Sequence, residues 1–401
     1  MKTLKKAGKW FLIIFAVLNL IIIVSGKTYL YKAIGNTYLK GRSGPNAFEY
    51  EIFSNREVKS GNHQKWNLAN NYNTKTISET FQKKFGGLET VAFAVIKNDS
   101  LAHEQYWDGF GPDSHTNSFS MAKTIISVLT GIAIDEGKIK SVDQSIGDFL
   151  PDFKEGEKAK ITIKHLLTMS SGINFDEDYK NPFAYPGAAY YGKDLEKLTF
   201  KYDASEEPGK VFNYLSGNTQ LLGFILQKAT GKKVSEYASE KLWKPLGAKN
   251  SAFWSLDHED GMEKAFCCFN SNATDFARVG QLFLDSGKWN GNQLVSVDYV
   301  LNSVKPADLM DDGKKNDKYG YSWWVIPNYK GHSIFYARGI LGQYVVCIPD
   351  QHMIVVRLGN KREPKVAGEE HPRDVFYYID AALEMYGNES AADNLLVSQK
   401  K

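Results

Sequence analysis

The chain has 401 residues, 43% of them hydrophobic and 24% charged, which supplies core for one large domain or two ordinary ones and excludes a disordered chain. Its 49 Lys and Arg against 46 Asp and Glu give a formal charge of +3, but Lys2, Lys5, Lys6 and Lys9 fall in the first 26 residues, which hold no acid. The rest of the chain is near neutral, which argues against a nucleic-acid partner, since that requires basic residues clustered on the folded body.

The four lysines precede an apolar run, Trp10 to Val24, that closes on Ser25 and Gly26. A charged start followed by such a run predicts a signal peptide or a membrane anchor over residues 1–26. The small residues before a cut suit cleavage only in part, and the run is short for a span, so both remain open. In either case the lysines stay cytoplasmic and the chain after Lys27 faces outward, in the periplasm or held to the inner membrane through residues 10–26. Residues 27–75, whose stretch 40–75 is rich in Gly, Asn, Ser and Lys, predict an irregular lead-in packed onto a main domain over residues 76–388, and residues 389–401 predict a polar tail.

Ile77 to Phe85 predicts a short helix. Thr90 to Ile96 and Leu101 to Trp107 predict a β-hairpin around Lys97-Asn98-Asp99-Ser100. Helical patterns dominate residues 118–300, among them Met121 to Glu136 stopped by Gly137 and Ala273 to Leu284 stopped by Gly287. Tyr319 to Ile326, Ser333 to Ala337, Gln343 to Ile348 and Met353 to Leu358 then predict strands joined by short turns, and Pro372 to Tyr386 a last amphipathic helix. Strands from both ends that pair through short turns imply an antiparallel sheet flanked by helices, an α/β (α+β) fold. A mostly helical insertion, about 138–300, covers one side, and the cleft between the two parts is the place to seek chemistry.

Adjacent cysteines bridge each other only with strain, so Cys267, Cys268 and Cys347 predict no disulfide framework. The eight histidines show no paired ligand spacing, so neither a metal nor another cofactor is expected. The chain contains no G-x-S-x-G, H-E-x-x-H or phosphate-loop motif. It contains S-x-x-K twice, at Ser120–Lys123 and at Ser398–Lys401 in the tail. Ser120 directly precedes an apolar helix, a position that suits an N-cap serine. It suits a nucleophile as well: the three-residue spacing puts Lys123 on the same helical face, where burial and the positive helix end disfavour the ammonium form. A neutral lysine could accept the serine proton, while backbone N–H groups at the helix start bind a developing oxyanion.

Ser118-Phe119-Ser120-Met121-Ala122-Lys123-Thr124 resembles the first motif of the β-lactamase-related serine hydrolases. That group holds class C β-lactamases, penicillin-binding D-Ala-D-Ala carboxypeptidases, certain esterases and the 6-aminohexanoate-dimer hydrolases. Further resemblance, in family order, lies in His165 to Gly172, Pro208 to Ser216 with Leu221-Leu222-Gly223, Asp275 to Gly280, Gly287 to Gly291, Tyr319 to Trp324 and Arg338 to Gln343. The resemblance implies a β-lactamase/D,D-peptidase-like fold. It makes Ser120 the nucleophile, Lys123 its base and Tyr214 the phenol that passes protons with the lysine. Ser216 stands at the third position of the second motif, where its hydroxyl could hold the Lys123 amine.

The family's Lys-Thr-Gly triplet is absent from the late strands. Gly339-Ile340-Leu341-Gly342-Gln343 is similar instead to the Gly-x-x-Gly-Gln stretch of the aminohexanoate-dimer hydrolases, which implies an oxyanion N–H at Ile340, next to Gly339. Loss of the triplet's lysine removes the clamp for a β-lactam or D-alanine carboxylate, unless Arg338 replaces it. Tyr190, in an aromatic stretch with Tyr185 and Tyr191, is a candidate cleft residue. So are Trp323 and Trp324, which as strand neighbours point to opposite faces, so that only one of them can line the cleft. The reading is an extracytoplasmic serine hydrolase of a small-molecule ester or linear amide. A D,D-carboxypeptidase or β-lactamase, and a catalytically silent envelope binding module, are the alternatives.

Overall fold

Strands that are apolar on both faces need cover on both, and here they receive it. The computed structural model describes residues 2–388, and the polar tail at 389–401 lies outside them. The strands β1 (Asn67–Leu68), β2 (Thr90–Lys97), β3 (Ser100–Tyr106), β4 (Trp324–Tyr329), β5 (His332–Gly339), β6 (Gln343–Ile348) and β7 (Met353–Gly359) form one sheet in the spatial order β4-β5-β6-β7-β2-β3-β1. Every pairing is antiparallel except that of β1 with β3. The early β2 lies beside the late β7, with Val95 opposite Val355, so the two ends of the chain close a single sheet.

The helices that position the site are α1 (Lys2–Val24), α2 (Tyr29–Asn36), α3 (Met121–Asp135), α4 (Ser216–Thr230), α5 (Ala273–Leu284) and α6 (Arg373–Tyr386). Alternation along β2 divides its side chains between two cores: Ala92, Ala94 and Ile96 join residues of α3 and α5, whereas Phe93 and Val95 join Val375, Tyr378 and Ile379 of α6. Helix α3 is buried from Met121 to Ala133, as its all-round apolar sequence demands.

Several expectations are corrected. Tyr319 to Trp323 is a turn ahead of β4, because its backbone is engaged elsewhere: Ser127 Oγ donates to Tyr321 O at 2.8 Å, and Thr124 Oγ1 donates to Ser322 O at 2.8 Å. The 138–300 block is not helical throughout. Ala252–Ser255 and Phe269–Ser271 join Asn55–Val58 of the lead-in and Thr116–Asn117 in a second, four-stranded antiparallel sheet. The lead-in thus contributes a strand to each sheet. The neighbouring cysteines form a Cys267–Cys268 disulfide, accommodated by a left-handed Cys268 at φ 67°. Cys347 remains a buried thiol, its pKa pushed up by burial. Helix α1 extends through the lysines, so that Lys5–Val24 makes a 20-residue window apolar and long enough to cross a membrane, with none of it buried against the body.

Candidate active site

The small sheet delivers the site's central residue. Thr116–Asn117 leads into Ser118, whose N–H donates to Phe269 O at 2.9 Å, and Asn117 Oδ1 accepts the Phe119 N–H at 2.8 Å. These bonds hold Phe119 at φ 43°, a left-handed conformation costly for a phenylalanine, and the turn sets Ser120 at the start of α3. Ser120 occupies the cap position, yet its side chain makes no cap hydrogen bond. Its Oγ lies 3.0 Å from Lys123 Nζ instead.

Lys123 is buried, and its amine has two further partners, Phe266 O at 2.9 Å and Ser216 Oγ at 3.3 Å. The direction of these bonds follows from donor and acceptor inventory. A carbonyl only accepts. The single Ser216 hydroxyl proton is spent on Glu177 Oε1 at 2.5 Å, so Ser216 Oγ also accepts from Nζ. Nζ thus donates to Phe266 O and Ser216 Oγ, and its third contact is Ser120 Oγ. Glu177 sits at the N-terminus of α4, where its Oε2 accepts the Ser216 N–H at 2.8 Å, a favourable place for a carboxylate. Burial nevertheless pushes the Glu177 carboxyl above the usual carboxylate range, against the pull of Lys123 and the Ser216 bonds.

Tyr214, in the extended segment before α4, stands with its ring centroid 5.1 Å from Lys123 Nζ. Trp324 packs behind it with centroids 5.3 Å apart, and the Arg338 guanidinium lies 3.4 Å from the Trp324 ring centroid. Arg338 also donates to Glu370 O at 3.4 Å. Arg338, Trp324 and Tyr214 therefore form a stack, and Trp324 backs the tyrosine rather than lining the cleft. Trp323 points the other way, fully buried against Phe283 and Phe335, and is removed from the cleft candidates. The two rings face opposite ways although Trp323 lies in the turn just ahead of β4.

The turn after β5 approaches Ser118 closely. A Cβ at Gly339 would stand 2.2 Å from Ser118 O, so only glycine admits this contact. Ile340 opens a one-turn helix, where its N–H has no intrahelical acceptor, as is true of Ser120 at the start of α3. Leu341 and Gly342 are left-handed, at φ 61° and 83°. Buried Arg357 of β7 holds the turn by donating to Leu341 O at 2.7 Å and Gly342 O at 2.6 Å.

Ser120 and Ile340 open into one cleft of about 440 Å³, with Phe119, Tyr190, Tyr191, Phe266 and Cys267 in its walls. Of the residues singled out from sequence, Ser120, Lys123, Tyr214, Ser216, Gly339, Ile340 and Tyr190 gather at this place. Glu177 and the Phe266 carbonyl were not legible. Glu177 lies in an acidic stretch without periodicity, and Phe266 acts through its backbone. The lead-in residues Tyr29, Ala33 and Thr37, which also line the cleft, carried no signal beyond irregular composition.

Comparison with known proteins gives a family model described as Beta-lactamase, matching residues 77–378. The chain is 27% identical over 292 residues to the 6-aminohexanoate-dimer hydrolase of Paenarthrobacter ureafaciens, covering 69% of this chain and 74% of that protein. It is 24% identical over 382 residues to a candidate D-alanyl-D-alanine carboxypeptidase of Escherichia coli K12, covering 75% and 85%. A solved structure from Bacillus anthracis, named as a candidate 6-aminohexanoate-dimer hydrolase, superposes with a TM-score of 0.72 at 22% identity over 84% of this chain and 93% of its own.

Proposed function

The chain belongs to the beta-lactamase family, and from that premise we propose that it is an extracytoplasmic serine hydrolase cleaving an ester or a linear amide through an acyl-serine intermediate. The observation that carries the proposal is the Lys123 amine, 3.0 Å from Ser120 Oγ with its other contacts made to Phe266 O and to a Ser216 hydroxyl whose proton goes to Glu177. Ser120 Oγ attacks the carbonyl carbon as Nζ takes its proton. The N–H groups of Ser120 and Ile340 receive the developing oxyanion. Collapse breaks the acyl C–O or C–N bond, the leaving group takes the proton from Lys123 with Tyr214 as relay, and water then releases the acid by the reverse transfers. Glu177 and Ser216 orient the amine.

Substrate preference follows from charge. Arg338 is spent on Trp324 and Glu370, and the one basic side chain lining the cleft among the described residues is Lys180. This favours a neutral ester or amide over a β-lactam or a D-alanine terminus. Residues 1–26 act as the leader, and residues 76–388 as the catalytic domain behind the lead-in. The lysines at the start of α1 resist translocation, and a disulfide at Cys267–Cys268 suits an oxidising compartment. Incubation with soluble chromogenic esters, linear amide dimers and a chromogenic cephalosporin, with mass spectrometry of the Ser120 peptide, tests the proposal. Acylation at Ser120 with ester or amide turnover is expected. Cephalosporin hydrolysis at comparable kcat/KM would favour the β-lactamase alternative, and no acylation at all would favour a binding module.

A further inference from the structure

The wall of the cleft continues directly from the membrane helix. Lys5–Val24 rises about 30 Å as a helix, the thickness of a hydrocarbon core. Only residues 25–28 separate α1 from α2, a reach of at most about 18 Å. Tyr29, Ala33 and Thr37, one face of α2 and its C-terminal cap, line the cleft that holds Ser120. The junction is tied on both sides: Tyr31 OH donates to Asn19 Oδ1 of α1 at 2.7 Å, and Tyr29 OH donates to Pro182 O of the opposite cleft wall at 3.0 Å. The mouth of the cleft therefore lies at the headgroup layer when α1 spans the bilayer.

The outer surface there is apolar where solvent would ask for polar groups. Ile34, Tyr38, Leu39, Tyr179 and Phe183 are all exposed, Leu39 at 79% and Tyr38 at 69%. Aromatic and aliphatic side chains grouped beside the end of a span suit the membrane interface. Tyr38 and Tyr179 line the cleft itself, and Ile34 and Leu39 lie on α2 and just after it, next to the end of α1, which connects the bilayer with the nucleophile.

We infer that α1 is retained as an anchor and that the substrate is a membrane-resident amphiphile, a long-chain acyl ester or amide that enters the cleft from the bilayer past α2. This rests on the serine hydrolase reading and deepens it. The hydrocarbon chain lies against Ala33, Tyr190 and Phe119, and the scissile carbonyl meets Ser120 Oγ. The acyl group passes to Ser120, the alcohol or amine leaves with one proton, and one water returns the acyl group as a fatty acid.

The test uses the full chain reconstituted in phosphatidylethanolamine and phosphatidylglycerol vesicles, with palmitoyl umbelliferone as the membrane-resident ester and umbelliferyl acetate as the soluble one. Palmitoyl ester in the same vesicles as the protein is expected to be cleaved at least about tenfold faster than ester supplied in separate vesicles, because sharing a surface raises the effective concentration. The double variant Ile34→Glu, Leu39→Glu is expected to lose that advantage and keep its acetate rate, which also reports its fold. Acetate cleavage without palmitoyl cleavage, or equal palmitoyl rates in the two vesicle arrangements, would overturn the inference while leaving the serine hydrolase standing. Acetate turnover that survives Ser120→Ala, or no turnover of either ester, would overturn both.

Discussion

Replacing Gly339 by alanine puts the oxyanion assignment to the test, because the consequence can be worked from the packing. The added Cβ would lie 2.2 Å from Ser118 O and 3.1 Å from the Gln343 Cβ. Ordinary contact needs about 3.4 Å, so one side must retreat by about 1 Å. Ser118 cannot give easily: its N–H is bonded to Phe269 O, which fixes it to the small sheet. The end of β5 moves instead and carries the Ile340 N–H away from Ser120. Overpacking of this kind costs about 1–3 kcal/mol of stability, and loss of one oxyanion donor costs about 10² to 10³ in rate. Gly339→Ala is therefore expected to fold with a lowered melting temperature and to cleave a soluble ester with kcat/KM reduced about a hundredfold. The assay pairs steady-state kinetics on umbelliferyl acetate with thermal unfolding of the same preparation. A variant destabilised as described but within about threefold of wild-type kcat/KM would refute the use of the Ile340 N–H.

Other substitutions address the proton path and the core. Ser120→Ala is expected to abolish turnover and leave unfolding unchanged, since the side chain makes no cap bond; Lys123→Ala and Tyr214→Phe are each expected to lose about 10² to 10⁴ in rate by stopped-flow acylation. Glu177→Gln exchanges a charge-assisted bond to Ser216 Oγ for a neutral one, a difference of about 1–2 kcal/mol, so kcat should fall about 5- to 30-fold with KM little changed. An unaltered kcat would remove Glu177 from the amine's support. Lys264, buried with its ammonium group over the Phe53 ring, has its pKa lowered by desolvation to about 7. The unfolded chain binds the extra proton between that value and the ordinary lysine range, so stability should rise with pH across this window, by up to about 1.4 kcal/mol per unit. Denaturant unfolding from pH 7 to 10 measures the slope, and Lys264→Met should flatten it.

The parts legible from sequence are those whose local pattern and tertiary environment agree. The hairpin Thr90 to Tyr106, the helices starting at Met121 and Ala273 and the strands from His332 to Gly359 each carry a long apolar period that reports burial directly. The strands of the second sheet run only two to four residues, too few for alternation to register, and they pair across as many as 200 positions, as Asn55 does with Ser255. Trp323 and Trp324 show the same division within one dipeptide. Strand alternation predicts opposite faces, but which ring faced the core and which backed Tyr214 depended on Phe283, Phe335 and Arg338 arriving from other elements.

The Ser120–Lys123 pair behaves similarly. Ser120 and Lys123 come together through helix periodicity alone, a relation of one turn that any chain with this motif at a helix start would share. What sets the amine's hydrogen bonds is long-range: Phe266 offers a carbonyl, Ser216 an oxygen whose proton Glu177 holds, and Arg357 fixes the turn that presents Ile340. The apolar helix at residues 10–24 and its lysine flank were read from composition, whereas its adjacency to the cleft required α2 to fold back beside Ser120. Sequence by itself determined the periodic elements, the pairing of Ser120 with Lys123 and the apolar N-terminal helix, because each is written within one stretch of chain. Only the tertiary structure decided the partners of that lysine, the bonding of Cys267 to Cys268 and the placing of the cleft at the foot of α1, because those depend on backbone groups and surfaces that meet across the fold.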